Sequence, residues 1–178
     1  ADRLGHEVIR PEGPAYAGVV REFGPGVVGA DGQIDRPALG ALVFADPARR
    51  ARLNALVHPH LKAELGRRVA AEAAAGAALV VVDAALIFEL GIADRFDAVV
   101  VVRAPEARQL EWLMRRGLDE GAARQRIAAQ MPAEEKARRA TYVVDNDGPA
   151  ERLAQAADRV LAAVAALPER ADHRQFTF

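Results

Sequence analysis

The sequence predicts an α/β protein, a parallel sheet flanked by helices. Three observations carry that expectation. "LVVVD" at 79–83 and "DAVVVV" at 97–102 are unbroken β-branched runs of the kind that strands buried on both faces require. Each is followed by helical sequence, and a third short run, "TYVVDN" at 141–146, precedes a last amphipathic helix from Pro149 to about Leu167. Strands that alternate with helices pair in parallel, because each helix is the crossover that returns the chain to the end of the sheet where the previous strand began.

In chain order, residues 10–34 hold nine Gly or Pro residues and are expected to form loops around a short helix at 15–23. Residues 36–75 are then helical. Asp35 precedes Pro37 at a helix start, and Leu39, Leu42 and Val43 share one face of that helix. A second helix is expected over about 47–57, with Leu53, Leu56 and Val57 at helical spacing. Pro59 is expected to interrupt it before a third begins. The tail "ERADHRQFTF" carries no motif and is expected to fray.

The composition suits one globular domain over 1–178: 51% of residues are hydrophobic and 28% charged, with 24 Lys and Arg against 25 Asp and Glu. Near-zero net charge gives no overall attraction to nucleic acid or to an anionic membrane, so neither is an expected partner. Oligomeric state is not legible. Cysteine is absent, so disulfides and thiolate metal sites are excluded. The longest apolar stretch, from Ala73 to Val82, stops at Asp83, well short of the roughly 20 residues a spanning helix needs. The expectation is a soluble, cytoplasmic protein.

In open parallel sheets ligands bind beyond the carboxyl ends of the strands, and Asp83 closes the run 79–83 at such a place. From the residues alone it is either a ligand or metal carboxylate, or the N-cap of a helix through "AALIFE". Glu89 is either solvated or part of the same site. His58 reads as a capping or partly buried histidine. His58 and His60 stand at i and i+2 across a proline, which is not ligand spacing for a metal. Arg115, Arg126 and Lys136 read as cations of a solvated helical hairpin, and "DNDG" at 145–148 as a turn.

Taken together and in this order, "DGQIDRPALGALVFADPARRARLNALVHPHL", "VVVDAALIFELG" and "RIAAQMPAEEKARRATYVVDNDG" resemble the dephospho-coenzyme A kinase family from Ala1 to about Leu167. The resemblance implies a P-loop kinase-type, three-layer α/β/α sheet. It also implies a helical acceptor-binding region at 10–75, a helical lid at 105–137, and a nucleotide-binding core at 79–104 and 138–167. Its activity is ATP-dependent phosphorylation of the 3'-hydroxyl of dephospho-coenzyme A, with Mg²⁺. Two other functions share some of these features: another small-molecule P-loop kinase acting on nucleoside monophosphates, and a non-catalytic α/β binding module.

The resemblance also assigns roles. Asp2 matches the end of the family's Asp-Ala-Asp and is the implied catalytic base. Asp83 is implied at the metal's water shell, and His58, Pro59, Leu86, Phe88 and Glu89 on the acceptor side. Arg115, Arg126 and Lys136 are implied at the phosphates of ATP and Asn146 at the adenine. The usual proline of the "PLLFE" motif is Ala85 here, and a lid arginine one turn before Arg115 is replaced by Glu111 or Trp112. The chain opens on "ADRLGHEV" without Met and holds no GxxxxGK[ST]. A preceding βαβ unit of about 30 residues, bearing the first strand and the P-loop, is therefore implied, and the chain alone is expected to be inactive.

Overall fold

The computed structural model describes residues 2–168, without the side chain of Asp2. The tail expected to fray lies outside the described residues from 169 onward. The chain divides into two compact units, one ending at Ala85 and the other starting at Leu86. That boundary falls inside the stretch 79–104.

The first unit is helical. α1 (Asp2–Val8) was not foreshadowed by the sequence pattern. A tight turn leads from it to α2 (Tyr16–Phe23), with the Ala15 amide donating to the Val8 carbonyl at 2.9 Å. Gly13 lies so close to the end of α1 that a Cβ there would meet the Glu7 and Val8 carbonyl oxygens at 2.5 Å. α2 ends at Gly24, whose φ of 82° is a backbone state that glycine tolerates best. A 3₁₀ turn over Pro25–Val27 and an antiparallel bridge between Val28 and Ile34 follow, and the Tyr16 hydroxyl ties the loop by donating to the Gly32 carbonyl at 2.7 Å.

α3 (Arg36–Ala45) and α4 (Pro47–Ala74) start as their sequences dictate. Asp35 accepts from the Ala38 amide at 3.0 Å, and Asp46 from the Ala48 amide at 2.8 Å, each ahead of a proline in the first turn. Val19, Val27, Ile34, Leu39 and Val43 form the buried core, with Leu42, Leu53 and Val57 packed against it. α1 lies along α4, where Leu4, Val8, Leu61 and Leu65 are buried.

Two expectations fail in this unit. Pro59 does not divide the helix: α4 runs unbroken through it for 28 residues. A proline inside a helix frees the carbonyl four residues earlier, here that of Ala55. Ala55 and Pro59 are both exposed, so water can satisfy that carbonyl and the helix continues. The run 79–83 forms no strand. A strand exists through ladder hydrogen bonds, and among the described residues the only sheet pairs two other segments. Val81 remains 79% exposed and Leu79 46%, so β-branched composition alone did not bury this stretch.

The second unit holds the parallel pair. β1 (Val100–Arg103) pairs with β2 (Tyr142–Asp145) in the register Val100↔Tyr142 to Arg103↔Asp145. The crossover between them is α5 (Glu106–Arg115), α6 (Glu120–Ala128) and α7 (Ala133–Arg139), and α8 (Ala150–Ala165) follows against β2. The α/β order expected from the sequence is therefore present, with strands near 97–102 and 141–146. Phe88, Val99 and Val101 form the core, joined by Ile87, Phe96, Met131 and Ala140.

Candidate functional site

In the first unit a groove of about 620 Å³ runs between α1, α4 and residues 80–85. Leu4, Leu65 and Val69 form apolar wall, and Arg3, Arg68, Glu72 and Asp83 supply charge. Glu64, one turn before Arg68 on α4, organises the cations. Arg67 grips it through Nε at 2.8 Å and Nη2 at 2.6 Å, and Arg68 through Nε at 2.8 Å. These bonds hold the Glu64 carboxyl down from 4.5 to about 2 and raise both guanidinium groups. Arg68 also reaches Glu7, so it links α1 to α4 beside the groove.

Asp83 is exposed on this groove. The residues after it form a turn closed by the Leu90 amide on the Leu86 carbonyl at 2.8 Å, so no regular helix follows for Asp83 to cap. His58 sits half-buried and Pro59 exposed on α4, one helical stretch before the groove residues. Asp2 opens α1, and its side chain lies outside the described residues. Among the described residues no group of three or more His, Asp or Glu is arranged to hold a metal ion.

In the second unit the structure joins two residues that the sequence pattern left apart. Glu89 Oε1 accepts from the Met131 amide at 2.9 Å and from Lys136 Nζ at 2.9 Å. The two side chains are only 19% and 12% exposed, while Glu89 Oε2 is buried with no hydrogen-bond partner. Lys136 also donates to Gln130 Oε1 at 3.1 Å. Next to this pair, Phe88 is 7% exposed, and the Arg139 guanidinium lies over its ring at 4.8 Å from the centroid. Leu86 is half-buried on the same turn.

The carboxyl ends of β1 and β2 carry a second polar group. Arg103 donates through Nε to Asp145 Oδ1 at 2.6 Å and through Nη1 to Glu134 Oε2 at 2.7 Å, which raises its own guanidinium further. The Asn146 amide donates to the Arg103 carbonyl at 2.7 Å, so Asn146 stands at the strand ends where α/β sheets place ligands. Sequence reasoning passed over Arg103; the signal was a charged residue closing a β-branched run, the same signal that singled out Asp83. Arg115 is 72% exposed and pairs with Glu111 at 2.7 Å, and Arg126 is exposed on α6. On α5, Arg108 lies over the Trp112 ring at 5.5 Å.

Comparison with known proteins finds a match to the dephospho-CoA kinase family model over residues 1–152. A dephospho-CoA kinase of Anaeromyxobacter dehalogenans is 48% identical over 163 residues, 91% of this chain and 77% of that protein. Among solved structures, the crystal structure of TT1252 from Thermus thermophilus superimposes with a TM-score of 0.67 at 36% identity, covering 92% of this chain and 82% of that one. Dephospho-CoA kinase from Campylobacter jejuni gives a TM-score of 0.63 at 23% identity over the same shares, a likeness of fold.

Proposed function

This chain belongs to the dephospho-coenzyme A kinase family, and on that footing we propose how its residues divide the work of the reaction. It is a kinase of the α/β P-loop class, and its family carries out the ATP-dependent final step of coenzyme A synthesis. The observation that carries the reading is the family match across residues 1–152, which runs through both units.

The γ-phosphoryl group of ATP passes to the 3'-hydroxyl of dephospho-coenzyme A. The O3'–H bond breaks, the O3'–P bond forms, and the bond from phosphorus to the β,γ-bridging oxygen breaks to release ADP. In this reading Asp2 orients the hydroxyl and takes its proton, as its match to the Asp-Ala-Asp motif implies. His58 and Pro59, with Leu86, Phe88 and Glu89, serve the acceptor side. Arg115 and Arg126 approach the phosphates, Lys136 belongs to the same machinery, and Asn146 meets the adenine. Such contacts act by positioning and charge stabilisation, since phosphoryl transfer leaves the protein little covalent chemistry.

Mg²⁺ is bound in kinases by one or two carboxylates, water and substrate phosphates rather than by an all-protein cage. A single exposed carboxylate such as Asp83 on the groove suits that mode. The ion, when bound, neutralises charge on the transferring group. No helix among the described residues is long and apolar enough to cross a membrane.

The test is an assay of the full-length protein with ATP, Mg²⁺ and either dephospho-coenzyme A or a panel of nucleoside monophosphates, read by mass spectrometry. Coenzyme A and ADP in equal amounts is the expected product pair. Phosphorylation of a nucleoside monophosphate without coenzyme A formation would overturn the reading.

A further inference from the structure

We propose that Glu89 is a positioning residue. One of its oxygens clamps the segment 130–136 to the turn 85–90 through the Met131 amide and the Lys136 ammonium, so that Lys136 serves the reaction through Glu89 rather than by holding phosphate. The inference rests on the kinase reading and refines the role of Lys136 within it.

Three features carry it. First, both donors converge on Oε1 at 2.9 Å, and they come from a loop and a helix 42 and 47 residues further along the chain. Second, the pair is largely withdrawn from water, with 12% of Lys136 and 19% of Glu89 exposed. An ammonium so placed must break a shielded ion pair before it can follow a solvent-borne phosphate, and breaking a buried pair leaves an uncompensated charge. Third, Oε2 is buried without a partner. The carboxylate therefore depends on Oε1 alone for its compensation, and loss of Lys136 would leave it one amide donor among the contacts described. Glu89 is adjacent to Phe88, which is under the guanidinium of Arg139 on α7. The clamp and this stacked pair both tie α7 to residues 88 and 89, and misplacing positioning groups by about 1 Å can cost about 100-fold in rate.

The experiment compares Lys136→Met, Glu89→Gln and the double variant in the full-length enzyme. A clamp predicts that Lys136→Met lowers kcat about 100-fold with the KM for ATP within about 3-fold of wild type. The double variant should recover at least about 10-fold over Lys136→Met, because the stranded carboxylate is gone. A phosphate ligand predicts the reverse, a KM for ATP raised about 10-fold or more by Lys136→Met and not by Glu89→Gln, with multiplicative losses in the double; that result overturns the proposal. Hydrogen exchange at the Met131 amide is followed in parallel without substrate. It should speed at least about 10-fold in Lys136→Met and Glu89→Gln, and unchanged protection overturns the clamp even if the protein phosphorylates some other acceptor. Should Lys136→Met fail to fold, Lys136→Gln replaces it under the same two criteria.

Discussion

Replacing Gly13 by alanine tests whether the turn that sets α1 is as tight as its geometry states. A Cβ at this position would lie 2.5 Å from the Glu7 and Val8 carbonyl oxygens and 2.6 Å from the Val8 carbonyl carbon. All three are backbone atoms, so no side chain can swing aside. The turn must open, which strains packing by about 1–3 kcal/mol. It also threatens the 2.9 Å bond from the Ala15 amide to Val8, with about 0.5–1.5 kcal/mol more. A loss of about 2–4 kcal/mol is a large share of the roughly 5–15 kcal/mol that holds a domain together. Gly5→Ala supplies the control on the same helix. Nothing lies within 4 Å of a Cβ there, so the substitution should stabilise α1 by about 0.5–1 kcal/mol through helix propensity. Urea denaturation of the two variants reads both values. If Gly13→Ala loses less than about 0.5 kcal/mol, or Gly5→Ala destabilises, the account of how α1 is seated is wrong. Because α1 begins at Asp2, Gly13→Ala should also lower turnover.

The carboxyl of Glu64 is held at about 2 by Arg67 and Arg68, below the 4.5 of a free side chain. Between those values the unfolded chain binds the proton first, so this contribution is complete above about pH 4.5 and is lost as pH falls toward 2. Glu64→Gln should flatten stability against pH in that window, and high salt should shrink the difference because both arginines are exposed; an unaltered slope in urea titrations at pH 5 and pH 3 would count against it. His58→Ala should raise the KM for dephospho-coenzyme A while leaving that for ATP nearly unchanged, and equal changes in both would indicate lost stability instead. Asp83→Asn should raise the Mg²⁺ concentration needed for half-maximal rate by about 10-fold or more, and an unchanged Mg²⁺ titration removes Asp83 from the metal's surroundings.

What was legible in the sequence was local. Asp35, just ahead of Pro37, announced the start of α3, because a cap needs only its own first turn. Leu39, Val43, Leu53 and Val57 announced the first core for the same reason, since helical spacing fixes a face. Pro59 misled because its effect depends on whether the Ala55 carbonyl can be hydrated, a property of the surroundings. The run 79–83 misled in a related way, since β-branched residues favour extension but only a neighbour makes a strand. Glu89 with Lys136, and Arg103 with Asp145 and Glu134, were out of reach because register and packing bring them together across 31 to 47 residues. Glu89 and Lys136 were both marked as functional, but for different ligands.

The continuity of α4 through Pro59 makes the helix a ruler. His58 and the groove residues Arg68 and Val69 lie on one rod, so at 1.5 Å per residue His58 and Val69 stand about 16 Å apart along its axis. Two helices hinged at Pro59 would let that interval vary with temperature and ligand; one helix fixes it. A compact acceptor can touch one mark on this scale at a time. An acceptor that engages both must itself be extended, with its two recognised ends held apart by a span that the backbone sets before binding.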